Sequence, residues 1–142
     1  MLISPEKHVR LHLTTTPRVA RLIGFQCYPL AVPKTNAALP FVIYRRQNIV
    51  RESHLSGPNF MPLVILQVSC WAQYYDDARE LGDEVRLALD GHTGTMAGAT
   101  IEDMRLTAET DDFIDPVSIG SQLPPAYEVR QLYQIRWQEA TE

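Results

Sequence analysis

The sequence predicts an α+β fold, an antiparallel four-stranded sheet with an N-terminal helix and one central amphipathic helix packed on one face. Three observations lead there. Two helix-opening signals, Ser4-Pro5-Glu6 and Thr16-Pro17, stand near the start of the chain. Four segments rich in β-branched and aromatic residues follow, and one stretch of helical periodicity separates the second from the third. With 142 residues, 45% hydrophobic and 21% charged, the chain has the size and balance of one globular domain, expected over residues 1–142 because no repeat, low-complexity tract or break in composition divides it.

The elements follow in order. A proline in the first helical turn costs nothing, because its missing N–H would have no partner there. Ser4 as cap and Pro5 therefore open a helix that breaks near Thr15. Thr16 and Pro17 repeat the device, Val19, Leu22 and Ile23 share a face, and Gly24 supplies the left-handed stop. "FQCYPL" reads as a short extended piece followed by the loop "AVPKTNAALP". Phe41 to Arg51 and Leu63 to Ala72 read as strands of a long hairpin joined through "ESHLSGPNFMP". Side chains alternate along a strand, so Val64, Leu66, Val68, Cys70 and Ala72 form its core side. Gln67, Ser69 and Trp71 take the other, which leaves Trp71 partly exposed or covered by something else.

The segment "QVSCWAQYYDDARELGDEVRLALDG" concentrates carboxylates as an active site does, yet its spacing is that of a helix from about Asp77 to Asp90. Ala78, Leu81, Val85 and Leu89 recur three and four apart as an apolar stripe. Asp76, Arg79, Asp83, Arg86 and Asp90 alternate in sign on a solvated face, where ion pairs contribute roughly 0.2–0.5 kcal/mol each. Asp76 or Asp77 suits the cap or first turn, and Gly91 the stop. "ATIEDMRLTAE" is the third strand. Tyr127 to Gln138 is the fourth, with Tyr127, Val129, Tyr133, Ile135 and Trp137 on one face and Arg130, Gln134 and Arg136 on the other. Between them Thr110 to Ala126 forms a long acidic connection closed by two prolines, the kind of connection that serves as a binding element. In it Asp111, Asp112 and Asp115 offer charge to a basic partner, and Phe113 and Ile114 face no evident core.

Other chemistry is excluded residue by residue. Cys27 and Cys70 lie far apart without a second cysteine near either, which removes a paired-cysteine zinc site and leaves both as buried small apolar residues. His8 and His12 can share a helix face, but with no third ligand in view they read as surface residues, while His54 and His92 fall in turns. "GHTGTMAGAT" lacks the lysine of a phosphate-binding loop, and no serine sits in a nucleophile elbow. No pattern calls for a metal or cofactor. Arg45, Arg46 and Arg51 make a small basic cluster, open to two readings: edge protection or pairing between subunits. A formal net charge of -4 argues against a surface built to grip nucleic acid. The start of the chain lacks a signal-peptide pattern and no apolar run reaches the ~20 residues of a membrane span, so a cytosolic site of assembly is expected.

The order of a helical start, "LPFVIYRR", "LQVSCWAQYYDDARELGDEVRLAL", "IEDMRLTAETDDFID" and "YEVRQLYQIRW" resembles the tail-completion, or tail-terminator, family of long-tailed bacteriophages. Tyr28-Pro29 before the first long strand and Trp71-Ala72 at the strand-to-helix junction match short features of that family. The resemblance implies a small α+β sandwich whose copies form a ring, commonly a hexamer. Such a ring caps the finished tail tube at its head-proximal end, meets the head connector, and lets DNA pass its lumen without specific binding. It also implies residence in the virion after assembly in the host cytoplasm. The candidate interface is Arg45, Arg46, Arg51, Trp71, Asp111, Asp112, Phe113, Ile114 and Asp115. A small-molecule-binding α+β regulatory domain is the alternative, and it requires a concave apolar pocket with convergent polar groups. An enzyme requires a strongly perturbed titratable group in a cleft, and the sequence names none.

Overall fold

The structure is a computed structural model that describes residues 4–30, 38–51, 53–54, 57–58, 61–114 and 126–138. The N-terminal stretch is two helices, α1 (Pro5–Thr15) and α2 (Pro17–Ile23), each with proline in its first turn. The expected hydroxyl caps do not form. Ser4 Oγ instead donates to the carboxylate of Glu6, and Thr16 Oγ1 donates back to the carbonyl of His12 at 2.6 Å. The Thr16 hydroxyl is thus turned back to the end of the first helix, and no side-chain bond caps the start of the second. The break at Thr16 and the stop at Gly24, with φ of 62°, stand as expected.

The sheet has six strands and is mixed, which corrects the four-stranded antiparallel expectation. Its strands are β1 (Cys27–Pro29), β2 (Phe41–Val50), β5 (Leu63–Ala72), β6 (Gly94–Met96), β7 (Ala99–Ile114) and β8 (Ala126–Gln138), in the order β1-β2-β5-β8-β7-β6. Two further pieces, β3 (Ser53–His54) and β4 (Gly57–Pro58), pair with each other in the β2–β5 connection. The two strands absent from the expectation are three-residue edge pieces. β1 joins the next strand, β2, in parallel, with Cys27 opposite Val42, a pairing that no local pattern announces. β6 hides in the glycine-rich turn, where Ala97 and Gly98, at φ of 51° and 79°, make the two-residue reversal into β7.

Helix α3 runs from Tyr75 to Leu89, two residues earlier at its start than expected. Asp76 and Asp77 lie in its first turn, but neither caps; Tyr74 holds the cap position without a side-chain hydrogen bond. The core forms where α3 and the two N-terminal helices meet one face of the sheet. Ala78, Leu81, Val85 and Leu89 are all fully buried there, with Val9, Leu13, Val19 and Ile23 from the other helices. Beneath them lie Val42, Val64, Leu66, Val68, Cys70, Val129, Tyr133, Ile135 and Trp137. The expected alternation of β5 therefore holds, as do the buried free thiols of Cys27 and Cys70. Burial pushes the Cys27 thiol up to about 12, so it is inert as a nucleophile at neutral pH.

Bulges keep the long strands in phase with this core. One lies between Arg46 and Asn48, so Ile49 returns to the helix side opposite Val64. Two more lie on β7: one between Ile101 and Asp103 returns Met104 and Leu106 to the helix side, and one between Leu106 and Ala108 returns Glu109, Asp111 and Phe113 to it.

Strand β7 also corrects the reading of the acidic connection. Thr110 to Ile114 continue the strand and pair with Arg130 to Ala126, so only the part after Ile114 connects β7 to β8. Asp115 and the rest of the expected arm, through Pro125, lie outside the described residues.

Candidate assembly interface

All three helices lie on one side of the sheet, and the registers line up the residues of its other side in rows. One row runs Phe41, Trp71, Glu128, Asp112; the next runs Ile43, Ser69, Arg130, Thr110; a third runs Arg45, Gln67, Leu132, Ala108. Among the described residues no helix covers this open face. Trp71 is half-buried on it, its ring stacked on Phe41 with centroids 6.0 Å apart, and its indole N–H has no hydrogen-bond partner. Beside it Glu128 is buried and accepts a hydrogen bond from Arg130 at 3.0 Å. Glu128 was not singled out in the sequence, because a lone acid in an alternating strand carries no signal until its cross-strand neighbours are known.

The basic cluster is split by the pleat. Arg45 is exposed on the open face, whereas Arg46 turns to the helix side and clasps Glu6 through two bonds of 2.7 and 3.3 Å. Burial works to raise the Glu6 carboxyl, but the hydrogen bonds from Arg46 and Ser4 outweigh it and hold it below the ordinary range. Arg51 is exposed just past the end of β2.

The acidic group divides in the same way. Asp111 points to the helix side and accepts hydrogen bonds from Tyr75 Oη at 2.8 Å and Arg79 Nη1 at 3.0 Å. Asp112 belongs to the open face and is exposed. Phe113, 53% exposed, packs on the helix side against Tyr127, whose ring also meets Tyr75 edge-on at 5.7 Å. Ile114 ends the strand opposite Ala126.

Arg79 is the hub that the charge pattern of α3 concealed. Its i,i+4 pair with Asp83 forms at 3.3 Å, yet the same guanidinium also reaches Glu109 at 3.1 Å and Asp111 on β7. Burial works against its cation, but Glu109 and Asp111 outweigh that and raise its pKa. Glu109 accepts a further bond from Gln131 Nε2, which also donates to the carbonyl of Gly82, and Tyr133 Oη donates to Gln131 Oε1 at 2.7 Å. This chain of bonds runs from the core to the surface and ties α3 to both long strands. The face expected to be merely solvated is thus part of the packing.

A second missed cluster joins His8, His12 and His92. His8 is fully buried rather than on the surface, and the turn residue His92 supplies the third ring. No group of three metal-capable side chains with metal geometry occurs among the described residues. A hollow of about 300 Å³, lined by Leu22, Pro40, Ala72, Tyr74, Asp77 and Leu81, and another of about 340 Å³ beside Glu6, Tyr44 and Arg46, are spaces a small-molecule reading could use.

A family model described as tail completion protein gp17 matches residues 7–116. Among solved structures, a chain from the virion of a native gene transfer agent particle superimposes with a TM-score of 0.74. The superposition covers 92% of this chain and 91% of that one at 15% sequence identity, a likeness of fold. No curated protein matches. Because the family model spans most of the sequence, from within α1 past the end of β7, the chain belongs to the tail completion protein gp17 family.

Proposed function

We propose that this tail completion protein is a non-catalytic structural subunit, working as one domain. Six copies close into a ring that caps the finished tail tube at its head-proximal end and joins it to the head connector. The ring belongs to the virion and assembles in the host cytoplasm. DNA crosses the lumen without specific binding, in keeping with a net charge of -4.

The observation that carries this reading is the opposite charge of the two long outer strands of one sheet. A closed ring needs a heterologous interface, in which one patch meets a different patch on the next copy. β2 holds two arginines and no acid, whereas β7 holds five acids and one arginine, and β5 and β8 separate them. The three-residue strands β1 and β6 cover only short parts of these edges. Arg46 and Asp111 are engaged within the chain, so Arg45 and Asp112 are the charges presented to a neighbour. Trp71 and Phe113 supply the aromatic area such contacts use. Arg51, Ile114 and Asp115 border the two patches in sequence.

Sedimentation of the purified protein over a concentration series, with negative-stain images of tail tubes mixed with it, tests the proposal. Rings at tube ends are expected. Arg45→Glu and Asp112→Arg should each suppress the ring in a protein that still folds, and the two together should restore it. A monomer at every concentration that leaves tube ends bare would sink the reading. Rings indifferent to both substitutions would keep the ring and remove this interface.

A further inference from the structure

We propose that His8, His12 and His92 form a latch that holds helix α1 against the α3–β6 corner while all three imidazoles are neutral, and that acidification loosens α1 before the sheet opens. The hydrogen bonds assign the protons. His8 Nδ1 lies 2.7 Å from the carbonyl oxygen of Ala99, and His12 Nε2 lies 2.9 Å from that of Ala88. A carbonyl can only accept, so both nitrogens carry hydrogen. Neutral His8 then presents a lone pair on Nε2, and His92 Nε2, 2.8 Å away, must donate to it. The His12 ring lies flat on His92, with centroids 3.8 Å apart and planes 16° apart, while the His8 ring meets His92 edge-on at 5.0 Å.

Protons are poorly received here. One proton can bind Nδ1 of His92 and leave its bond to His8 intact, but it sets a cation against fully buried His8. A second proton puts two N–H groups face to face and breaks the bond. His12 adds repulsion through the stack.

Among the described residues no carboxylate offsets this: the charged neighbours that act on His92 are His12 and His8, and the one that acts on His8 is His12. On α1, Glu6 is turned to Arg46 and Arg10 to the carbonyl of Cys27. On α3, Asp90 accepts the N–H of Leu106 and Arg86 acts on Tyr133. On β7, Asp103 is bonded to Arg105 and Glu102 to Gln138.

Burial, ahead of the two neighbouring histidines, lowers His92 to about 4, and burial likewise lowers His8. A base depressed in the folded state contributes stability that is complete above its ordinary value, ~6.5, and is lost as pH falls toward the folded value. One excess proton on the open form shifts the opening equilibrium about tenfold per pH unit.

Hydrogen exchange resolved by residue tests the latch. Protection factors of the α1 amides should fall about 40-fold between pH 6.5 and 4.5 for one proton that titrates at ~6.5 in the open form and at about 4 in the closed one, while those of β5 and β8 stay within a few-fold. His92→Gln keeps a donor toward His8 without a titrating group, so it should fold and flatten that slope. Nitrogen-15 spectra of the wild-type imidazoles should show hydrogen on Nδ1 of His8 and on Nε2 of His12 and His92. A His92 that titrates at or above the ordinary value overturns the proposal. So does loss of protection in β5 and β8 in parallel with α1, or a His92→Gln protein that keeps the wild-type slope.

Discussion

Replacing Gly82 by alanine asks whether helix α3 is held at a fixed height over the sheet. Alanine is normally the better helix residue by about 1 kcal/mol, so the substitution should stabilise an unconstrained helix. Here the added Cβ would stand 2.9 Å from Cγ1 and 3.3 Å from Cβ of Val129, well inside the roughly 3.5–4.0 Å of a favourable carbon contact. Val129 is 1% exposed on a central strand and, being β-branched, cannot swing its methyl aside. The helix must lift instead, which also stretches the 2.8 Å bond from Gln131 Nε2 to the Gly82 carbonyl. Overpacking of this kind costs about 1–3 kcal/mol. Against the gain in helix propensity, the net expectation is a loss of about 1 kcal/mol, or about 3–4 °C in melting temperature for a chain this size. Urea unfolding followed by far-ultraviolet circular dichroism would measure it, with Val129→Ala as the partner substitution. Once the Val129 methyls are gone, Gly82→Ala should become stabilising by about 1 kcal/mol, so the two changes couple by about 2 kcal/mol. A Gly82→Ala protein that melts higher than wild type, or a strictly additive double substitution, would refute the idea that Val129 sets the height of α3.

Two other outcomes follow from the same contacts. Arg79→Gln should cost about 1–2 kcal/mol in urea unfolding, since Arg79 and Glu109 are only 28% and 23% exposed, while Asp83→Asn on the same helix should change stability by less than about 0.5 kcal/mol. Ala97→Gly should raise stability by about 1 kcal/mol, measured by thermal melting, because alanine at φ 51° holds a left-handed conformation that glycine adopts without strain.

The helices and central strands were legible because their signal is local. Ala78, Leu81, Val85 and Leu89 announce a buried stripe by spacing alone, and Val64 to Ala72 announce a core face by alternation. The pairing of the sheet edges was not legible: "FQCYPL" read as a short extended piece, but three residues have no period to show that they join β2 in parallel. β7 was read too short because its bulges break the alternation twice, and because Asp111 and Asp112 look like loop residues until Arg79 is placed above Asp111 and Glu128 opposite Asp112. The candidate interface suffered from the same limit. Sequence groups charges by proximity in the chain, whereas the pleat sends Arg45 and Arg46, or Asp111 and Asp112, to opposite sides of the sheet. The histidine cluster shows it most plainly: His8 and His12 lacked a third partner only because His92 stands beyond α2, α3 and the two central strands β2 and β5, 84 residues after His8.

Apolar burial explains why the helices cover one face, but it is non-directional and does not by itself choose where along the sheet each helix stops. The directional contacts do. Glu6 and Arg46 fasten the start of α1 to β2, the histidines fasten its middle to the α3–β6 corner, and Arg79 fastens the start of α3 to the distal half of β7. Each joins elements far apart in sequence, and each lies at the border of the apolar core. In the proposed ring, where Arg45 on one outer strand and Asp112 on the other would meet identical neighbours, the angle between those strands would matter as much as stability. Around a closed ring a small angular error per subunit repeats at every interface and prevents closure. The polar clasps are therefore where substitutions should alter assembly geometry while leaving the fold largely intact, and core positions such as Leu81 are where they should act through stability alone.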